Sequence, residues 1–340
     1  MYKNIYKNDG MKREEHMAVR TTVGWYLWTH QLVEVCGKDA AAFLDHFFTG
    51  NISSLAVGRD RYTTMLNEQG EIIDDVVIFR MDEDRYWVST LFASKMDDWF
   101  YAHQDSFDAD WSDITEDWHM FAVQGPKSKD ILNRLVSSSV DDMKFFSHKD
   151  SEINGIPVML NRGGYTGEKF GYEVYASPEQ ADDVEDILRK ACADADGRQV
   201  TEFQVMAWTL PTEAGFYYMK DLAHTNPFEV GLDNGIFWEK DFVGKTALLK
   251  IKETGPSREM LGFECLEDDY LIKSKHLGGA GEAIYLDGYD EEVGRIVKLV
   301  YSYVKDANIG YLMAQKNVFH IGDHFKVHGH ECVITERKWL

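Results

Sequence analysis

Two adjacent carboxylates, Asp74 and Asp75, lie inside the apolar run Ile72-Ile-Asp-Asp-Val-Val-Ile-Phe79. Apolar residues on both faces predict a strand internal to a sheet, and the two-residue period sends the two acids to opposite sides. Burial raises the proton affinity of a carboxyl group unless donors surround it, so an internal aspartate is either an acid–base group or a satisfier of buried amides. Gly163-Gly-Tyr-Thr-Gly-Glu-Lys-Phe-Gly-Tyr-Glu-Val174 places a glycine-flexed turn directly before a strand carrying Glu173. Such a turn lets a ligand approach the backbone. Read alone, Glu173 fits a solvated strand face better than a ligand contact. The rings of Trp25, Trp28, Trp208, Phe216, Tyr217 and Tyr218 offer flat surfaces to a planar ligand, or else form plain core. His320, His324, His328 and His330 crowd one short span. Nothing in its strand–turn–strand pattern forces them to converge, so no metal is expected.

These groups need elements to hold them. A strand over Gln31 to Cys36 precedes a helix capped by Asp39, with Phe43, Leu44, Phe47 and Phe48 at helical spacing. Arg61 to Leu66 and Glu71 to Phe79 read as a hairpin turning at Gly70, followed by a strand over Arg85 to Thr90 and a helix over Phe92 to His103. A second unit of the same kind starts with a strand over Met120 to Val123 and a helix opened by Gly125-Pro126 and running through Ile131, Leu132 and Leu135. Strands over Ile156 to Leu160 and Gly171 to Tyr175 come next. Ser177-Pro178-Glu179-Gln180 then reads as a capping box opening a helix that Gly197 ends. Beyond Lys252 helical periodicity gives way to short strands with glycine-rich links, as in Leu277-Gly-Gly-Ala-Gly281, which predicts a small antiparallel barrel. The expected fold class is α+β, with a bilobed core over residues 1–252 and a C-terminal β-barrel over residues 253–340. Met1 to His16 reads as a short polar tail.

With 340 residues the chain can bury a sizeable core. Its 58 acidic and 36 basic residues give a formal charge of −22, which repels nucleic acid and anionic membranes alike. Neither is an expected partner. No apolar run reaches the ~20 residues that span a bilayer, and the first residues lack a secretory apolar centre. Four scattered cysteines with no Cys-x-x-Cys pair argue against a disulfide framework. A cytoplasmic protein is expected.

In chain order, Asp74-Asp75, Gly164-Tyr-Thr-Gly167, Asn226-Pro-Phe-Glu-Val-Gly-Leu232 and Lys240-Asp-Phe-Val-Gly-Lys-Thr-Ala-Leu-Leu-Lys250 resemble the folate-dependent aminomethyltransferases. That family contains the T-protein of the glycine cleavage system and tetrahydrofolate-dependent demethylases. The resemblance runs over roughly residues 17 to 335. It implies a bilobed core around a folate cavity, a closing barrel, and tetrahydrofolate as the cofactor. It implies that Asp75 sits beside the reactive nitrogens of the cofactor and assists proton transfer. It further implies that Glu173 accepts the paired donors of the pterin edge, and that Tyr62, Ser89 and Tyr165 line the cofactor. Thr29-His30 resembles the Ser-His of the first lobe, which makes His30, with Trp28 and Trp208, a candidate substrate contact. In the Asn226 to Lys250 segment Asn226-Pro227 favours a turn, Asp241 a helix cap and Gly244 close packing.

Two departures bear on the donor. The T-protein's Arg-Asp-x-x-Arg-Leu-Glu-Ala is replaced by Ala207-Trp-Thr-Leu-Pro-Thr-Glu-Ala214, and Ser89 stands where an asparagine is usual. The expected reaction is therefore methyl transfer from a small O-methyl or S-methyl donor to N5 of tetrahydrofolate, with Tyr217 or Tyr218 protonating the leaving group. The alternatives are aminomethyl transfer, with a lipoyl carrier protein as partner, and a non-catalytic folate-binding protein.

Overall fold

The computed structural model describes residues 7–28, 31–104, 106–267, 281–286 and 291–340. His30 and most of the Leu277 to Gly281 link lie outside the described residues. The chain opens with helix α1 (Gly10–Thr21), strands β1 (Gly24–Trp28) and β2 (Gln31–Cys36), helix α2 (Ala40–Phe47), the β3 (Asp60–Leu66) and β4 (Ile72–Asp82) hairpin, β5 (Arg85–Thr90), α3 (Ala93–His103) and β6 (Asp110–Asp113). Then follow β7 (His119–Gln124), α4 (Ser128–Leu135), β8 (Ser147–Ile153), β9 (Ile156–Arg162), β10 (Gly171–Ala176), α5 (Pro178–Ala193) and the short β11 (Arg198–Gln199).

Two sheets form, in the orders β3-β4-β5-β2-β6 and β11-β1-β7-β10-β9-β8. They pack face to face. Val77, Phe79 and Trp87 from one meet Tyr26, Met120, Met159 and Tyr175 from the other. Each outer face is covered by helices: Phe43, Phe47, Met96 and Phe100 lie on the first, and Ile131, Leu132, Val184 and Leu188 on the second. The result is an α–β–β–α stack. Period two then decides which side chains face inward. On β4, Val76 and Ile78 point to the helices while Asp75 shares the inner face with Val77. On β10, Tyr172 and Val174 point out and Glu173 points in with Tyr175.

Between the stack and the last sheet run a π-helical turn (Gln204–Thr209) and the short helices α6 (Leu210–Glu213), α7 (Met219–Leu222) and α8 (Pro227–Val230), then α9 (Lys245–Thr254). Pro211 has no N–H for the carbonyl of Ala207, and the chain widens into the π turn just ahead of it. Asn226 caps α8 reciprocally with Glu229, so Asn226-Pro227 begins a helix. The last sheet runs β13 (Ala283–Tyr285), β14 (Glu292–Ser302), β15 (Ala307–Gln315), β12 (Arg258–Cys265), β17 (His330–Thr335), β16 (His324–Val327). All its ladders are antiparallel. Its edge strands β13 and β16 approach each other, leaving a nearly closed barrel. The α+β expectation with a C-terminal barrel holds.

Several local expectations are corrected. The polar tail expectation fails at its C-terminal part, because α1 is a helix that buries Glu15, His16, Ala18 and Val19. Its polar residues are buried because they are partnered. His16 Nε2 meets Glu213 Oε2 at 2.8 Å, Arg20 reaches the same oxygen at 2.8 Å and Glu168 at 2.6 Å, and Ser302 Oγ donates to Glu213 Oε1 at 2.5 Å. One carboxylate thus ties α1, α6 and β14 together. Gly244, not Asp241, is the N-cap of α9. Asp241 instead pairs with Lys245 at 3.0 Å. A Cβ on Gly244 would meet Asn67 O at 2.5 Å, so its close packing against the β3–β4 turn is real. Ser177 is the N-cap residue of α5 without a side-chain capping bond. In the same segment Lys240 is drawn under α2, donating to the carbonyls of Asp45 at 2.5 Å and of Phe48. The four C-terminal histidines diverge. His324, His328 and His330 face Glu331, Glu282 and Glu267 separately, at 2.9, 2.8 and 2.6 Å. No helix among the described residues is long and apolar enough to cross a membrane.

Burial pushes the Glu213 carboxyl upward, but His16, Arg20 and Ser302 outweigh it and leave it below the ordinary glutamate value. Its contribution to stability is therefore present above that ordinary value and is lost as pH falls through the lower folded one. Glu213→Gln is expected to cost about 3–5 kcal/mol, the typical penalty for breaking a buried ion pair. Urea unfolding at neutral pH measures this, and the gap between variant and parent should narrow below pH 4.

Candidate functional site

A cavity of about 370 Å³ opens where the two sheets of the stack meet the Gly215 to Met219 segment, within the ~300–1,000 Å³ span of small-molecule sites. β4 delivers Asp75, β5 delivers Ser89, β10 delivers Glu173, and the turn after β9 delivers Tyr165. Tyr62 enters from β3. Asp75, Tyr62, Ser89, Tyr165, Glu173, Trp28, Tyr217 and Tyr218 therefore converge on one space. Trp208 does not. It packs edge-on against Phe203, 5.8 Å between ring centres, outside the cavity lining. Trp25 is buried beneath the outer helices with Phe121 and Val123.

Asp75 Oδ2 accepts a hydrogen bond from the Tyr62 hydroxyl at 2.9 Å. Burial drives its carboxyl up to about 6 against that bond, and the negative charge of Asp221 adds to the rise. Asp74 points away, accepting from Thr90 Oγ1 at 2.5 Å and from the Asp75 N–H at 2.9 Å. Burial lifts Asp74 to about 8. Its hydrogen bonds tie β4 to β5, and it presents nothing to the cavity.

On the opposite sheet Glu173 is 3% exposed, so the solvated-face reading is excluded. Asn161 Nδ2 and the Tyr175 hydroxyl both donate to its Oε2, at 2.8 and 3.2 Å. Burial raises Glu173 to about 7 despite these donors, and the nearby Asp60 adds to it. Asn161 Oδ1 is buried with no hydrogen-bond partner, an acceptor that a ligand's N–H can satisfy. Asn161 is not among the sequence candidates, and its one sign there is an asparagine within an apolar strand. Phe145, Phe146 and Met206 also line the cavity and carry no sequence signal beyond their apolar character.

The turn is held by Gln124. Its amide donates to Gly163 O at 3.1 Å and Tyr172 O at 3.2 Å, while Thr166 Oγ1 donates to its Oε1 at 2.8 Å. At Gly164, φ is +142° and an added Cβ would sit 2.3 Å from Gln124, so glycine is obligatory there. Ser89 hydrogen-bonds the Tyr165 hydroxyl, a second use for a residue on the inner face. Tyr217 donates its hydroxyl to Val230 O at 2.7 Å.

Two acceptors side by side, Glu173 and Asn161, suit a heterocycle edge with an amino group beside a ring N–H. Tyr62 and Tyr165 supply flat walls. Asp75, poised near pH 6, can carry a proton at the other sheet. This donor and acceptor set fits a reduced pterin.

The chain also matches known proteins. Residues 2–240 match the model of the GCVT N-terminal domain. Proteins named aminomethyltransferase from Thermotoga sp. (strain RQ2) and Thermotoga maritima are each 33% identical over 319 residues, 92% of this chain and 84% of theirs. The solved glycine cleavage system aminomethyltransferase T from Bartonella henselae superposes with a TM-score of 0.83 at 20% identity, covering 97% of this chain and 89% of that one. The chain belongs to the aminomethyltransferase family, folate-dependent transferases that use tetrahydrofolate.

Proposed function

We propose that this protein is an aminomethyltransferase that passes a one-carbon unit to tetrahydrofolate in the Asp75–Glu173 cavity, most simply from the aminomethyl arm of a lipoyl carrier protein. The relatives' names support aminomethyl transfer, placed second on sequence grounds, over the methyl transfer placed first. The observation that carries the reading is the presence of Asp75 and Glu173, on facing sheets, in the lining of one cavity. Bound tetrahydrofolate supplies the nitrogens that accept the one-carbon unit. Glu173 and Asn161 hold the pterin edge, Tyr62 and Tyr165 flank it, and Asp75 keeps a proton acceptor at the reacting end. The mostly apolar lining lowers the local dielectric, which strengthens each of these contacts. Tyr217 spends its hydroxyl on Val230, so proton donation to a leaving group falls to Tyr218.

A second reading, methyl transfer from an O-methyl or S-methyl donor, is favoured by one feature. Among the described residues lining the cavity none is Lys, Arg or His, and Ala207 and Pro211 occupy its wall, at the positions where the T-protein sequence carries arginine. A cavity walled by Trp28, Phe145, Phe216 and Tyr218 suits an uncharged aromatic donor. The two readings part on product. Incubation with tetrahydrofolate and an aminomethyl-loaded lipoyl carrier should yield methylene-tetrahydrofolate. Methyl-tetrahydrofolate from a methoxyaromatic or methylsulfonium panel, with none from the carrier, would reverse the order. Binding without any product would reduce the protein to a folate-binding scaffold.

Two site variants sharpen this. Asp75→Asn should lower kcat by about 10²–10⁴-fold, the usual contribution of an acid–base group, while tetrahydrofolate affinity measured by fluorescence quenching changes little. Glu173 accepts both pterin donors on its two oxygens only when ionised. Tetrahydrofolate affinity should therefore be full above pH 7 and weaken as pH falls through about 7, by up to about tenfold per unit. Glu173→Gln should bind weakly and show no such slope. A slope that survives in that variant assigns it to another group.

A further inference from the structure

Behind the donor side of the cavity lies a buried ion pair that takes no part in holding the cofactor. Asp221, on α7, is 1% exposed and Lys298, on β14, is 0% exposed, and the two form a direct pair. Asp221 Oδ2 also accepts the backbone N–H of Tyr218 at 2.8 Å. Tyr311, on β15, lies under the Lys298 ammonium with its ring centre 5.3 Å away, and donates its hydroxyl to Phe216 O at 2.8 Å. Barrel side chains therefore grip Phe216 directly and Tyr218 through Asp221. Phe216, Tyr217 and Tyr218 are consecutive residues of the cavity wall.

A buried ion pair costs desolvation that well-packed apolar residues of similar volume would avoid, so it is weak evidence for stability alone. Here its placement offers a different reason for it. We propose that Asp221 and Lys298 are positioning residues of the transferase, fixing the backbone of Tyr218 so that the donor is presented to the Asp75 end of the cavity. The pair acts through Tyr218, with Lys298 holding the Asp221 carboxyl in place. This rests on the proposed one-carbon transfer at that cavity. A subsidiary effect is electrostatic. Asp75 faces Tyr62 from β3, Tyr165 from the turn after β9 and Asp221 from α7, with Asp74 beside it on β4 and Lys95 acting on Asp74. Asp221 raises the proton affinity of Asp75, so its neutralisation should move the Asp75 titration to lower pH.

The test uses the full chain and two double variants, D221A/K298M and D221N/K298M, neither of which leaves an orphan buried cation. Asparagine keeps an acceptor for the Tyr218 N–H and alanine does not. D221A/K298M should lose at least tenfold in kcat, with tetrahydrofolate affinity within threefold of the parent, and D221N/K298M should recover most of that loss. In both, the Asp75 carboxyl followed by ¹³C NMR should titrate at lower pH than in the parent. In the parent itself the Tyr218 amide should exchange with deuterium at least a hundredfold more slowly than an unprotected peptide. Parent-like kcat in D221A/K298M, or a Tyr218 amide that exchanges freely in the parent, overturns the proposal. Should both variants fail to fold, the parent's exchange rate decides. Absence of tetrahydrofolate binding or turnover in the parent defeats the proposed function, whereas amide exchange and the Asp75 titration still judge the positioning pair.

Discussion

Desolvation between the two facing sheets is the constraint from which the site follows. Val77, Phe79, Trp87, Met120 and Tyr175 close that interface, and period two in β4 and β10 turns Asp75 and Glu173 into it. Low dielectric there raises both carboxyls, bringing two ordinary acids into the range where they exchange protons near neutral pH. The donors around them are few and specific. Tyr62 answers Asp75, and Asn161 with Tyr175 answers Glu173, which limits the rise without abolishing it. Proton affinity and placement thus have one cause, the packing of the stack.

Much of this architecture was legible in the sequence, for identifiable reasons. The strands around Asp75 and Glu173 carry strong two-residue alternation or continuous apolar runs, and glycines mark the turns between them, so the elements and their inward faces followed from pattern. α1 is hard to read from pattern because polar Glu15 and His16 share its buried face with Ala18 and Val19. Glu15, His16 and Arg20 are internal only through partners such as Glu213, nearly two hundred residues away in the chain, and hydrophobic periodicity has no access to such pairings. At α9 the helix begins at a left-handed Gly244 that carries no capping side chain, three residues after the Asp241 that the sequence offers as a cap.

Within the site, resemblance and geometry contributed differently. Motif order marks Asp75, Tyr165 and Glu173, whereas the role of Asn161 is visible only in the structure, where its carbonyl oxygen is buried beside Glu173. Aromatic residues close in sequence proved a poor guide. Trp28 and Tyr218 reach the cavity while Trp208, in the π turn, rotates away to Phe203. The widened turn before Pro211 shifts side-chain directions relative to a regular helix, and linear spacing does not encode that rotation.

The Gly215 to Met219 wall is anchored from the barrel, whereas Asp75 and Glu173 belong to the stack. On the proposed function, substitutions on β14 or β15 would act on the donor side of the cavity and leave the face carrying Asp75 and Glu173 in place.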